Sequence, residues 1–98
     1  MKPKALSEEE IKQELKSLPS WVYKDNKISK ELKFENFMDA ISFIVKLSSF
    51  FEQNDHHPDI LISYSKVRFD LQRFDIGGKV TNLDFVTARE IERAYASR

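Results

Sequence analysis

Cysteine is absent from this 98-residue chain, which rules out disulfide bonds, thiolate zinc sites and thiol catalysis. Glycine occurs only twice, side by side at Gly77 and Gly78. No apolar run approaches the roughly 20 residues of a membrane-spanning helix, and the opening MKPKALSEEE has no apolar signal-like stretch. Basic and acidic residues balance at 16 each, so net charge gives no general attraction to nucleic acid. We therefore expect a cytoplasmic protein with no membrane association and no direct nucleic-acid binding.

The length and the aromatic content favour a single domain over residues 1–98. A chain of this size can build one core, but not a deep cleft between two domains. Eight phenylalanines, three tyrosines and one tryptophan supply the apolar surface of a folded domain rather than a disordered chain.

Capping signals mark a first helix. Ser7 and Glu10 have the spacing of a capping box, and Leu6 and Ile11 that of a hydrophobic staple. Pro19 stops the helix.

The second predicted helix is the most apolar. Asn36 caps it, and Pro58 disfavours helical geometry at His57, so the helix must end near Asp55. Helical spacing predicts a core stripe of Phe37, Ile41, Ile44, Val45, Ser48 and Phe51. Met38, Leu47 and Phe50 lie partly off this stripe.

Thr81 is the predicted cap of a third helix, with Asp84 three residues on. Its apolar stripe comprises Leu83, Ala88, Ile91, Ala94 and Tyr95. Asp84 lies within that stripe, where a carboxylate needs a partner or a role. Arg73 or Lys79 could supply the partner.

Four strands are predicted between the helices. A hairpin runs from Trp21 to Phe34 around the turn residues Asp25-Asn26, with Lys30 as an exception on its apolar face. Residues 60–64 and 67–71 alternate in polarity, and the short link at Ser65 makes them antiparallel neighbours. The order α-β-β-α-β-β-α predicts an α+β fold, with helices on one face of a small antiparallel sheet.

The two histidines, His56 and His57, form the main candidate site. They follow Glu52 and precede Pro58, where the second helix gives way to a strand. Continued helical geometry would place Glu52 beside His56. Two imidazoles can serve as an acid and a base near pH 7, although an adjacent pair in a polar loop is more often solvated surface. A metal site is disfavoured, because there is no third histidine and no H-x-x-x-H spacing.

Tyr64 and Phe74 are aromatic candidates for stacking on a flat ligand. The alternative for Tyr64 is packing on the core. Phe74 has the opposite parity from Val67, Phe69 and Leu71, so it leaves the core face for an interface or a ligand wall. The sequence has no phosphate loop, dinucleotide fingerprint or nucleophile elbow.

The run Glu52-x3-His56-His57-Pro58-x5-Tyr64, followed by Val67, Leu71, a glycine turn and Asp84, resembles the pterin-4a-carbinolamine dehydratases. The resemblance implies a four-stranded antiparallel sheet with three helices on one face. It implies removal of water from a 4a-hydroxytetrahydropterin, giving the quinonoid dihydropterin during pterin cofactor recycling. It also implies that neither a metal nor another cofactor is needed, and that the protein is a homodimer or homotetramer.

The resemblance further implies roles for particular residues. His56 and His57 match the catalytic pair, and Glu52 matches the acidic position that tunes it. The substrate-binding candidates are Asp55, Pro58, Tyr64, Phe74 and Asp84.

Phe74 departs from the family pattern, which has His or Trp at that position, and one residue is added in the turn at 77–79. Phenylalanine can stack on a pterin but cannot move a proton. Two functions therefore stay open: the dehydratase itself, or a catalytically weak member that acts as an oligomeric binding module or transcription cofactor.

Overall fold

A computed structural model describes residues 2–73 and 77–98. The element order is the predicted one, α-β-β-α-β-β-α. The elements are α1 (Glu8–Leu15), β1 (Val22–Lys24), β2 (Lys27–Lys33), α2 (Phe37–Gln53), β3 (Asp59–Ser63), β4 (Lys66–Leu71) and α3 (Asn82–Ala96). Over the residues described, none of the helices has the length and apolar character needed to cross a membrane.

The four strands form one antiparallel sheet in the order β1-β2-β4-β3, with the helices on one face. Alternate side chains of β2 and β4 point into the core between sheet and helices. The fully buried ones are Ile28, Leu32, Val67, Phe69 and Leu71. The predicted α+β fold is therefore confirmed.

Local signals in the sequence are confirmed at the first helix and the first hairpin. The Ser7 hydroxyl accepts a hydrogen bond from the Glu10 backbone, and the Glu10 carboxylate accepts one from the Ser7 backbone. Asp25 and Asn26 both have positive φ, 54° and 61°, as a type I′ turn between two strands requires.

Lys30, the exception on the apolar face of β2, is explained by an acidic partner on α3. Its ammonium pairs with the Glu92 carboxylate, which also accepts a hydrogen bond from Trp21 Nε1 at 2.8 Å. These contacts of Glu92 link the C-terminal half of α3 to the first hairpin.

The predicted core stripe of α2 is only partly confirmed: Phe51 is buried and Ile44 packs partly against the core, but the rest of the stripe is wrong. The buried residues are Ala40, Phe43, Leu47 and Phe51, and Phe50 also packs partly against the core. Val45 is 65% exposed and Phe37 is 46% exposed. Apolar residues occur around most of this helix, so spacing alone did not identify the side that meets the sheet. The rings of Phe43 and Phe51 contact Phe69 on β4, so their side of α2 is the one that packs on the sheet.

On α3, the predicted stripe is largely confirmed, with Leu83, Ala88, Ile91 and Ala94 buried and Tyr95 packed partly against the core. The chain before α1 runs beside the start of this helix. Ala5 forms an antiparallel bridge with Thr81, and the Leu6 backbone N–H donates to the Val80 carbonyl at 3.0 Å.

Candidate active site

A left-handed residue at the end of α2 sets the direction of the histidine pair. Asp55 has φ 47°. The His56 N–H donates to the Phe51 carbonyl at 3.1 Å, and the Asp55 N–H donates to the Glu52 carbonyl at 3.2 Å. These two bonds form a Schellman motif. The helix therefore ends at Gln53, and the chain turns before it reaches the histidines.

His56 points into the protein. Its side chain is almost fully buried, and its Nε2 pairs with Oδ1 of Asp84, which is also fully buried. The neutral tautomer that can donate to a carboxylate from this position is the one with its proton on Nε2. The partner of Asp84 is therefore His56, and not Arg73 or Lys79 as the sequence suggested.

The second oxygen of Asp84 faces the start of α3. Oδ2 accepts from the Thr81 backbone N–H at 2.6 Å and from the Thr81 hydroxyl at 3.3 Å. One carboxylate thus joins the cap of α3 to the end of α2, and no buried side-chain nitrogen or oxygen of the described residues lacks a hydrogen-bond partner.

His57 points outward. Its side chain is 56% exposed, and its Nε2 lies 2.6 Å from Oε1 of Glu52, which is 75% exposed. The expected pairing of Glu52 with His56 is therefore wrong. It assumed that helical geometry continues to residue 56, whereas the turn at Asp55 brings His57 back to Glu52 instead.

Arg73 belongs to the same region, although the sequence placed it only as a possible partner of Asp84. Its Nη1 donates to the Asp55 carbonyl at 2.9 Å, and its backbone pairs with Lys79. The chain that follows β4 is thereby tied to the turn before the histidines. Nothing in the local sequence marks this contact, because its partner is a backbone carbonyl.

The other candidate residues are placed differently. Pro58 follows the pair and is half-buried. Tyr64 lies in the turn between β3 and β4, 72% exposed, with φ 56°. The five residues of β3, roughly 17 Å of strand, lie between Tyr64 and the histidines. Tyr64 is therefore not brought close to the histidines of its own chain. Phe74 lies outside the described residues.

No group of three or more His, Cys, Asp or Glu side chains that could hold a metal ion occurs within residues 2–73 and 77–98. The described site thus consists of two imidazoles, each held at Nε2 by its own carboxylate. Nδ1 of each ring is the nitrogen that these pairings leave for a ligand.

Comparison with known proteins gives a consistent result. The family model described as pterin 4 alpha carbinolamine dehydratase matches residues 4–94. A Picosynechococcus protein provisionally named as such an enzyme is 48% identical over 80 residues, 82% of this chain and 86% of its own. A Sulfolobus acidocaldarius protein with the same provisional name is 38% identical over 88 residues, 90% of this chain and 96% of its own. A crystal structure from Brucella melitensis, called a transcriptional coactivator/pterin dehydratase, superposes with a TM-score of 0.87 at 29% identity, covering 93% of this chain and 98% of that one.

Proposed function

Because this chain belongs to the pterin 4 alpha carbinolamine dehydratase family, we propose that it removes water from a 4a-hydroxytetrahydropterin to give the quinonoid dihydropterin, as a step of pterin cofactor recycling. The observation that carries the proposal is the pair of adjacent imidazoles with separate carboxylate partners, His56 with Asp84 and His57 with Glu52.

The reaction needs one proton donor and one proton acceptor. The C4a–O bond breaks as an acid protonates the leaving hydroxyl, which departs as water. A base takes the proton of the neighbouring ring N–H, and the electron pair of that bond forms the new C=N bond. The sum is loss of water with no change in oxidation state, so two imidazoles are sufficient for the chemistry.

The geometry suits that division of work. His56 is fixed by buried partners, so its Nδ1 has a defined position. His57 is exposed and can exchange protons with solvent between turnovers. Either ring can be the acid, and we propose that the two take opposite roles on one substrate.

The remaining candidates have supporting roles in this proposal. Asp55 and Pro58 shape the chain on either side of the pair, and Asp84 holds His56. Tyr64 and Phe74 stay predictions of substrate contact from the sequence. Stacking of Phe74 on the pterin would be worth roughly 1–3 kcal/mol by analogy with base stacking on aromatic side chains.

A dehydration assay on a synthetic 4a-hydroxytetrahydropterin tests the proposal. We expect His57→Ala and His56→Ala to lower kcat by roughly 10²–10⁴-fold, the usual contribution of a positioned acid or base. Lys12→Ala, on the exposed face of α1, is the control and should match the unmodified protein. An unmodified protein that does not exceed the uncatalysed rate would contradict the proposal.

One observation favours a second function: the Brucella melitensis structure is called a transcriptional coactivator as well as a pterin dehydratase. Phe74 agrees with this alternative, because it cannot replace a proton-moving histidine. If the chain is a binding module that has lost most of its activity, the unmodified protein should bind a pterin but turn it over slowly. Phe74→His should then raise turnover. Fast turnover in the unmodified protein, with no gain in Phe74→His, would leave this alternative without support.

A further inference from the structure

Oδ1 of Asp84 pairs with His56, whereas Oδ2 accepts hydrogen bonds from Thr81. We propose that Thr81 is a positioning residue for His56: it fixes Oδ2 of Asp84, so that Oδ1 stays on Nε2 of the imidazole. The chain before α1 in turn holds Thr81. This inference rests on the proposed function only where enzyme activity is measured.

Two donors from one residue meet the same carboxylate oxygen. The Thr81 backbone N–H lies 2.6 Å from Oδ2, and the hydroxyl lies 3.3 Å from it. Rotation of an aspartate about χ2 is broad and close to two-fold, so a single contact to His56 would not fix the carboxylate plane. Because Thr81 and Asp84 are both fully buried, solvent does not compete for these oxygens. The orientation of the carboxylate therefore depends on Thr81.

The backbone at Thr81 is itself held by a short antiparallel contact. Ala5 lies opposite Thr81, and the Leu6 N–H donates to the Val80 carbonyl. The Asn82 N–H donates to the Lys4 carbonyl at 3.2 Å, and the Lys4 N–H donates to Oδ1 of Asn82 at 2.7 Å. These bonds fix the direction of the Thr81 N–H, which is the shorter of the two contacts to Asp84.

The consequence for His56 is a defined tautomer and ring orientation. A carboxylate fixed at Nε2 keeps the proton there and leaves Nδ1 as the acceptor. Loosening of Oδ2 would let the carboxylate turn away, and the imidazole would then sample both neutral tautomers and more than one orientation.

The first experiment compares Thr81→Val, which removes only the hydroxyl, with Thr81→Ser, which retains it. Nitrogen-15 NMR of the histidine side chains should show His56 as one Nε2–H tautomer in the unmodified protein and in Thr81→Ser. In Thr81→Val we expect exchange-broadened His56 signals with a populated Nδ1–H form. If dehydratase activity is present, kcat should fall roughly 2–10-fold with KM unchanged, the size expected for one hydrogen bond.

Thr87→Val is the matched control. Thr87 is also a buried threonine of α3, but its hydroxyl donates to the Leu83 carbonyl at 2.9 Å and not to Asp84. It should lose stability, as Thr81→Val does, and keep the His56 spectrum unchanged. Equal His56 spectra in Thr81→Val and the unmodified protein, or equal changes in both Val variants, would overturn the inference.

Asn82→Ala tests the contribution of the N-terminal segment. It removes the side-chain bonds from Asn82 to the Lys4 N–H and to the Lys2 carbonyl, and leaves Thr81 and Asp84 intact. We expect broadening of the His56 signals, weaker than in Thr81→Val; an unchanged spectrum would refute the role of this segment. The spectra decide the inference even if no variant has dehydratase activity, in which case the proposed function alone fails.

Discussion

His56 and His57 are neighbours in the chain, yet their carboxylate partners differ in burial. Asp84 is fully buried with three donors on its two oxygens, whereas Glu52 is largely exposed. A buried donor that loses its acceptor is not compensated by water, but an exposed one is. The same amide substitution should therefore have different effects on stability at the two positions.

We predict that Asp84→Asn lowers the free energy of unfolding by about 1–3 kcal/mol. One carboxylate oxygen becomes an NH2 group, which cannot accept the hydrogen bond that His56 or Thr81 donated to that oxygen. Glu52→Gln should change it by less than about 0.5 kcal/mol, as is usual for exposed sites. Urea unfolding of both variants at neutral pH checks this. Equal midpoints for the two variants would mean that Asp84 is not buried between Thr81 and His56.

Asp70 gives a prediction about acid stability. Burial raises the pKa of its carboxyl, but the hydrogen bonds from Ser29 and Arg68 and the positive charges of Arg68 and Lys27 outweigh burial and lower that pKa below its ordinary value. The folded-state pKa is thus below the unfolded value of about 3.9. The stability that results is complete above that value and is lost as the pH falls through the folded pKa.

Asp70→Asn should consequently lose less stability than the unmodified protein between about pH 5 and pH 2, although it is less stable at neutral pH. Asp59→Asn is the control, since Asp59 is an exposed aspartate directly opposite Asp70 in the sheet. Thermal unfolding across this pH range measures the difference. An acid-induced loss in Asp70→Asn as large as in the unmodified protein would contradict the assignment.

Among the structural elements, the end of α2 decides where both histidines point. Asp55 adopts the left-handed conformation that favours glycine, and a non-glycine residue there costs about 1–2 kcal/mol. The Arg73 contact is made to the backbone carbonyl, so it does not need the aspartate side chain. The strain therefore lies in the backbone of the turn at Asp55, and not in the pairs that His56 and His57 form with their carboxylates.

Asp55→Gly should therefore be more stable than Asp55→Ala by about 1 kcal/mol, with the turn preserved in both variants. Denaturant unfolding of the two proteins provides the comparison, and the His56 NMR signals show whether the turn is kept. If the alanine variant were the more stable one, the helix would have to end in some other way.

The sequence predicted those elements whose signals are local. The capping box at Ser7, the Asp25-Asn26 turn and the cap at Thr81 each depend on neighbours a few residues apart, and all are present. The core face of α2 could not be predicted, because apolar side chains on several sides fit a stripe equally well. The environment of His56 depends on Asp84, which is 28 residues away, and on a positive φ at an aspartate. Asp84 belongs to the run that resembles the family, but neither its pairing with His56 nor the positive φ has a local sequence signature.

At the scale of the whole molecule, apolar surface remains exposed on α2 and β3. Met38 and Val45 are each 65% exposed, and with Ile41 they line one side of α2 that faces away from the sheet. β3 forms an edge of the sheet and carries Leu61, which is 60% exposed. An apolar helix side together with an uncovered strand edge is typical of a surface that associates. A second copy of the chain supplies the same apolar surface, which agrees with the homodimer or homotetramer expected from the sequence.

We predict that the protein is a homo-oligomer at micromolar concentration and that Val45→Glu lowers its mass toward that of the monomer. The charge would be buried without a partner in the assembly, whereas in a monomer it stays in water and the fold is retained. Lys46→Glu is the control: it places the same side chain one residue along α2, on the polar side away from Met38 and Ile41. Sedimentation velocity, with circular dichroism to confirm folding, measures both variants against the unmodified protein. A monomeric unmodified protein would exclude the assembly. Equal dissociation by the two variants would show that general charge, and not this side of α2, controls it.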